Sequence, residues 1–416
     1  MRTRSLDCRL AASLGVSFHD LDSWLSEIAE RNGFVCSLVA DPSAAVKINF
    51  SNPMRERIRD EYPNHHRVFF SSTEYDSNPF TVSFIRNPIL LPKGVLIAGE
   101  DDPAFCFTET IGDSVGMALD IRTESVRVEK AKSTNSFPLE YDPFALMPQA
   151  EPQVLNIVLS SINNYGHWHV HNLSFCLWLR EHLQALLRAV GAETVVIWCP
   201  HVSGGAGHKE YAAEILAQVA SIKIFDPCKL DNGIRLTNAL VCSSFNLDNG
   251  TRWPKIFQHL FSNARLPVDP AAPTLIYCDR SHVGRRGVEN EAALKAALVE
   301  LGFAIAEPGC LTYDEQRKIF SNASLVIGSH GAALTNMIYS YNHPTIIELT
   351  HPYYGPIQYG WFQNLAAVMG NSYGAYISSV PEEFQNSGYS GTYFHVDIDG
   401  LVGLLRLSGL IHEKSG

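Results

Sequence analysis

The stretch Leu325-Val326-Ile327-Gly328-Ser329-His330-Gly331-Ala332-Ala333-Leu334-Thr335-Asn336 decides the reading of this chain. The run from Ser324 to Ile327 reads as a buried strand. It stops at Gly328, and a small-residue turn leads into a helix-like segment, Ala332 to Tyr339. A tight strand-to-helix turn of small residues leaves backbone N–H groups uncovered at a helix start, a place that suits an anion and above all a phosphate. His330 stands at the mouth of that turn, where its ring can donate to the same anion. Twelve residues past Asn336, the strand Thr345 to Leu349 carries a lone carboxylate, Glu348. In a nucleotide-binding α/β fold this is where ribose hydroxyls meet an acceptor. A Gly-rich loop and a strand-terminal Glu in an ordinary α/β domain fit the same residues.

The segments around the turn keep its rhythm. Leu275 to Cys278 reads as a strand, Glu289 to Leu301 as a helix ended by Gly302, and Phe303 to Ala306 as a strand. Thr312 to Asn322 reads as a helix opened by a Thr312/Glu315 capping box. Upstream, Val154 to Leu159, Thr194 to Trp198, Ile222 to Phe225 and Ala239 to Cys242 read as strands. Helices His167 to Val190 and His208 to Val219 lie between them, and Trp253 to Ala264 reads as a bridging helix. Such alternation predicts parallel sheets with crossover helices. Before residue 150 the pattern is strand-rich, with runs at Val68–Phe70, Phe80–Ile85, Val95–Ala98 and Ser125–Val128 after a short helix, Leu21 to Ile28. The expected division is a small N-terminal region, 1–150, and two Rossmann-like domains, 151–268 and 269–416.

Composition narrows the classes. A formal net charge of −11 over 416 residues argues against nucleic acid as a partner. The nine cysteines are scattered and never spaced as CxxC, which reads as free thiols in a reducing compartment. No apolar run reaches a membrane-spanning length, so membrane contact is expected to be peripheral at most. The N-terminus does not read as a secretion signal.

Three groups of residues carry chemistry. Arg280, Arg285 and Arg286 follow the Leu275–Cys278 strand, where α/β proteins bind ligands, and Arg forks grip phosphate oxygens in pairs. Asn290-Glu291 reads as the cap of the next helix. In the first half, His167, His169 and His171 open a long helix. On a helix only His167 and His171 share a face, so a three-histidine metal site is not expected. One of the two is instead a candidate general base, its ordinary pKa being near neutrality. The Gly204–Gly207 turn lacks an Arg cluster downstream, and no G-x-S-x-G supports a serine hydrolase.

In order along the chain, Arg280, Arg286, Asn290-Glu291, Glu315-Gln316, Val326 to Asn336 and Ile347-Glu348-Leu349 resemble glycosyltransferase family 61. The Asn-Tyr-x-His-Trp start of the first-half helix, ending at Trp168, fits too. The resemblance implies a GT-B-like arrangement, two Rossmann-like parallel-sheet domains facing a cleft. It implies inverting transfer from a nucleotide sugar, usually a UDP-sugar, to a carbohydrate or lipid-linked glycan acceptor. The donor would meet Arg280, Arg285, Arg286, Ser329, His330, Gly331, Ala332, Ala333, Leu334, Asn336 and Glu348. No metal or other cofactor is expected. The family's acidic residue four places after its His is His171 here. We therefore expect His171 as base, His167 as its companion, and Asp279 as the alternative. Without a secretion signal, a bacterial member is expected, in the cytoplasm or at the inner face of the membrane. Alternatives of other kinds are a nucleotide-sugar epimerase and an inactive sugar-nucleotide-binding protein.

Overall fold

The computed structural model describes residues 16–30, 35–62, 74–90, 96–98, 105–107, 116–120, 125–129, 140–141, 153–159, 165–199, 208–230, 234–243, 252–281, 287–353, 356–385 and 392–412. The chain forms two compact units, and their boundaries differ from those expected. One unit takes Met1–Pro42 and Pro79–Ser244, the other Ser43–Asn78 and Phe245–Gly416. The strand-rich N-terminal region is thus no domain of its own; it is shared out between the two.

The second unit is built on five parallel strands: Leu275–Cys278 (β1), Ala304–Ala306 (β2), Leu325–Ser329 (β3), Thr345–Thr350 (β4) and Ser372–Ile377 (β5). Their order is β2-β1-β3-β4-β5, and the short strand Asn49–Phe50 extends the β5 edge in parallel. The near-continuous apolar runs follow from burial on both faces: all of β3 and all but the first residue of β4 are buried. The helix Glu291–Glu300 (α1) crosses from β1 to β2, and Tyr313–Ser321 (α2) from β2 to β3. The expected capping box at α2 is present, with Glu315 N–H donating to Thr312 Oγ1 at 3.3 Å and Thr312 N–H to Glu315 Oε2 at 2.8 Å. Asn290 holds the N-cap position of α1, but its side chain does not cap the helix. Its Nδ2 donates to Val396 O at 2.8 Å and its Oδ1 accepts from Val396 N–H at 3.0 Å, tying the helix start to the C-terminal segment.

Close packing at the end of β3 explains its glycine. A Cβ on Gly328 would come within 2.9 Å of Cys278 Cβ and 3.2 Å of Leu334 Cδ2. The absent side chain lets the following segment fold back on β1. That segment, Ala332–Tyr339, is a 3₁₀ helix rather than an α-helix, opened by Leu334 N–H donating to Gly331 O at 3.0 Å.

In the first unit, Val154–Val158, Thr194–Trp198 and Ser221–Phe225 run parallel, with Asn238–Ser243 parallel on the other side of Val154–Val158. Beyond Asn238–Ser243 the sheet turns mixed. Phe80–Arg86 pairs with it antiparallel, followed by Val35–Asp41 and Val16–Phe18. N-terminal strands therefore complete this sheet. Trp24 and Trp178 meet edge to face at 6.3 Å, seating the Leu21–Glu30 helix on Ser174–Val190, which Gly191 ends in the left-handed region (φ 68°). The expected run Val68–Phe70, Asn163-Asn164 and the Gly204–Gly207 turn lie outside the described residues. No helix among the described residues is long and apolar enough to cross a membrane.

Candidate active site

In the order β2-β1-β3-β4-β5 the sequence of strands reverses between β1 and β3. The connections leave these two strands on opposite sides, which opens a crevice at their carboxyl ends. Arg280 follows β1 there, and His330-Gly331 follows β3. Arg280 and His330-Gly331 therefore lie at the crevice where such sheets hold ligands.

Arg280 is only 7% exposed. Its guanidinium lies directly on Gly331, and a Cβ on that glycine would overlap Nη1. Gly331 has φ 167°, an extended backbone open to any residue. The glycine is demanded by the approach of the guanidinium, not by its own conformation. Beside it, burial pushes the Asp279 carboxyl up. Lys295 Nζ at 2.7 Å and the Ser281 N–H at 2.8 Å outweigh that and hold it at about 2. Asp279 is an anion at neutral pH, with Oδ1 engaged by Ser281 N–H and Oδ2 by Lys295.

His330 is held from behind. Its Nδ1 is hydrogen-bonded to Glu348 Oε1, while Tyr373 O–H donates to Oε2 at 2.7 Å. The carboxylate fixes the ring's orientation and places a proton on Nδ1. The Phe362 ring meets the imidazole nearly edge-on at 5.1 Å. Glu348 has no exposed surface, and both its oxygens are occupied. It positions His330 and does not stand ready for ribose hydroxyls. Asn336 is similarly committed to the interior: its Nδ2 donates to Gln316 Oε1 at 2.9 Å and to Ala333 O at 3.1 Å, locking the 3₁₀ segment to α2. Leu334 packs under Gly328. Ser329 is buried at the end of β3, and Ala332 and Ala333 are half-buried. Arg285 and Arg286 lie outside the described residues.

Sequence reasoning missed Tyr373, whose position in a buried strand carries no signal of its hydrogen bond. It also missed His351, one residue past β4 and fully buried. His351 Nδ1 accepts from Tyr353 N–H at 3.2 Å, and burial, reinforced by His330, pushes its pKa down to about 4. The unfolded chain titrates this ring near its ordinary value of 6.5. Between those values the unfolded state binds the extra proton, so stability falls as pH drops through the window. Urea melts at pH 7 and pH 4.5 should show His351→Leu losing about 2 kcal/mol less than the parent over that interval. Parallel losses in the two proteins would show that His351 is not the source.

In the first unit the helix starts as expected but is not uniform. Tyr165–Trp168 is α, His169–Leu173 widens to a π turn, and Ser174–Val190 resumes the α form. Single π turns recur at functional sites. The His169 ring donates from Nδ1 to Tyr165 O at 2.7 Å and is fully buried, a structural role. His167 and His171 stack with ring centres 6.1 Å apart and planes 20° apart. Burial pushes the His171 pKa down, His167 adds to that, and together they bring the ring to about 3.

A search among curated proteins finds no match to the chain. The family model described as Glycosyltransferase 61 matches residues 165–347, from the start of the histidine-bearing helix through Arg280 and the 328–336 turn to the residue before Glu348. Residues 165–347 are therefore similar to glycosyltransferase family 61, a likeness that supports transferase activity.

Proposed function

We propose that the protein transfers a sugar, with inversion at the anomeric carbon, from a UDP-type nucleotide sugar to a hydroxyl of a glycan or lipid-linked glycan. The observation that carries this is Arg280 seated on Gly331 beside a carboxylate-held His330, at the crevice where the sheet order reverses. Two cationic or proton-donating side chains and the N–H groups opening the 3₁₀ segment suit a diphosphate. A base removes the acceptor's proton, the oxygen attacks the anomeric carbon, and the nucleoside diphosphate departs onto Arg280 and His330. Each charge-assisted hydrogen bond contributes ~1.5–3 kcal/mol. Three of them supply counter-charge of the size a bridging cation gives. Transfer in this reading needs no metal and should survive EDTA; activity lost to the chelator and restored by Mn²⁺ would overturn that part. A GT-B type of fold, one Rossmann-like sheet per unit, belongs to the same reading. So does a cytoplasmic or inner-membrane-surface location, supported by the free thiols of the buried Cys36, Cys176 and Cys278.

The donor site is tested through its closest contact. Arg280→Ala should weaken UDP binding about tenfold or more with little loss of stability. Gly331→Ala should do the same, because the new methyl occupies the place of the guanidinium and a flexible Arg swings away. The double substitution should cost no more than either alone, as expected of residues serving one contact. Titration calorimetry giving wild-type UDP affinity for Arg280→Ala would end the clamp. A second reading, a sugar-nucleotide-binding protein without turnover, is favoured by the low basicity of His171.

A further inference from the structure

The first unit holds a cavity of about 440 Å³ on one face of its sheet, within the range of small-ligand sites. The register explains its floor. Asn156 pairs with Val196, which pairs with Lys223, and in the next row but one Trp198 pairs with Phe225. All point to one face, as alternate residues of a strand must. The Trp198 and Phe225 rings stack at 5.3 Å, and Phe225 is 46% exposed although large and apolar. The turn Pro227–Lys229 and Ile234 close the other side.

Asn156 is the unusual member. It is fully buried, and its Oδ1 accepts from Trp198 Nε1–H at 2.9 Å. Its Nδ2 has no partner among the described residues, although it is buried. A buried amide with two unused donors costs free energy, and it lines this cavity. We propose that the cavity binds a pyranose ring of the acceptor glycan, with the apolar face of the sugar on the Phe225–Trp198 pair and a ring hydroxyl accepting from Asn156 Nδ2. A sugar offers both an apolar C–H face and hydroxyl acceptors; a purely apolar ligand would leave the amide unmet, and an anion would gain nothing from the aromatic rings. Lys223 and Lys229 stand exposed at the rim, where long side chains reach outer hydroxyls. This inference rests on the transferase reading for the ligand's identity, but on none of the donor-site residues.

The test is saturation-transfer NMR on the full chain with cellotetraose, maltotetraose and tri-N-acetylchitotriose as probes, and UDP thermal shift in parallel. At least one saccharide should bind, and Phe225→Ala should weaken it roughly tenfold while leaving the UDP shift unchanged. Asn156→Leu should weaken it too; if that variant does not fold, Phe225→Ala decides alone. No saccharide binding, or binding indifferent to Phe225→Ala, overturns the proposal. Saccharide binding without any UDP response would keep the cavity and sink the transferase reading; UDP response without saccharide binding would do the reverse.

Discussion

Glu348→Ala should lower transfer at least a hundredfold and cost roughly 3–5 kcal/mol of stability, more than any other single change at the donor site. The carboxylate has no exposed surface and is the shared acceptor of His330 Nδ1–H and Tyr373 O–H. Without it both donors face a cavity, and each unmet buried donor costs about 1–3 kcal/mol. The ring also loses the bond that aims it. Glu348→Gln is the instructive companion, since its amide offers one acceptor oxygen to two donors. It should fold with a smaller loss, about 1–3 kcal/mol, yet still misplace His330. Because Glu348 is sealed from ligand, UDP and its 2′-deoxy analogue should lose affinity equally in Glu348→Gln. Urea melts and a kcat/KM series measure the first effects, calorimetry the last. An alanine variant as stable and active as the parent would remove the positioning role, and an affinity loss confined to the ribonucleotide would return Glu348 to the ribose.

His171→Ala should lower kcat by ~10²–10⁴-fold and leave UDP binding intact, if the ring takes the acceptor's proton. Its pKa of about 3 gives this expectation a second signature. An ordinary imidazole base loses activity as pH falls through about 6.5. One held this low stays neutral throughout that region, so the acid limb of the rate profile should lie far below it. The cost is a weak base, whose proton affinity must rise as substrate arrives. Near wild-type turnover in His171→Ala would take the ring out of the mechanism. Full activity in His171→Glu would mean the position is filled interchangeably by a carboxylate, the residue type the family resemblance implies there.

Much of the second unit could be read in the chain because each strand there is a short apolar run closed by a glycine or a polar residue. The Thr312/Glu315 box is purely local, and it appears as read. Arg280 and His330 meet because β1 and β3 are neighbours in the sheet, an order that the alternation of elements does not fix. Other features depend on distant partners. Asn49–Phe50 is two residues long and has no period of its own; only its pairing with Ser372 and Tyr373 makes it a strand. Glu348 looked like an open acceptor because nothing near it in sequence announces Tyr373. The π turn at His169–Leu173 leaves the helical pattern of apolar residues almost unchanged, so periodicity does not reveal it.

The division of the chain between the two units has a consequence for how the protein is made. A ribosome releases residues 43–78 early, but the sheet edge that Asn49–Phe50 completes emerges about three hundred residues later. The second unit cannot complete its sheet until Ser372–Ile377 has emerged, and Asn49–Phe50 stays without its strand partner until then. Cutting the gene between Ser244 and Phe245 would not yield two working halves, because the downstream piece would lack its outer strand and the Ala45–Lys47/Glu74–Asp76 ribbon. Soluble expression of the second unit should instead require residues 43–78 supplied on the same chain, by circular permutation or by a linker to Phe245.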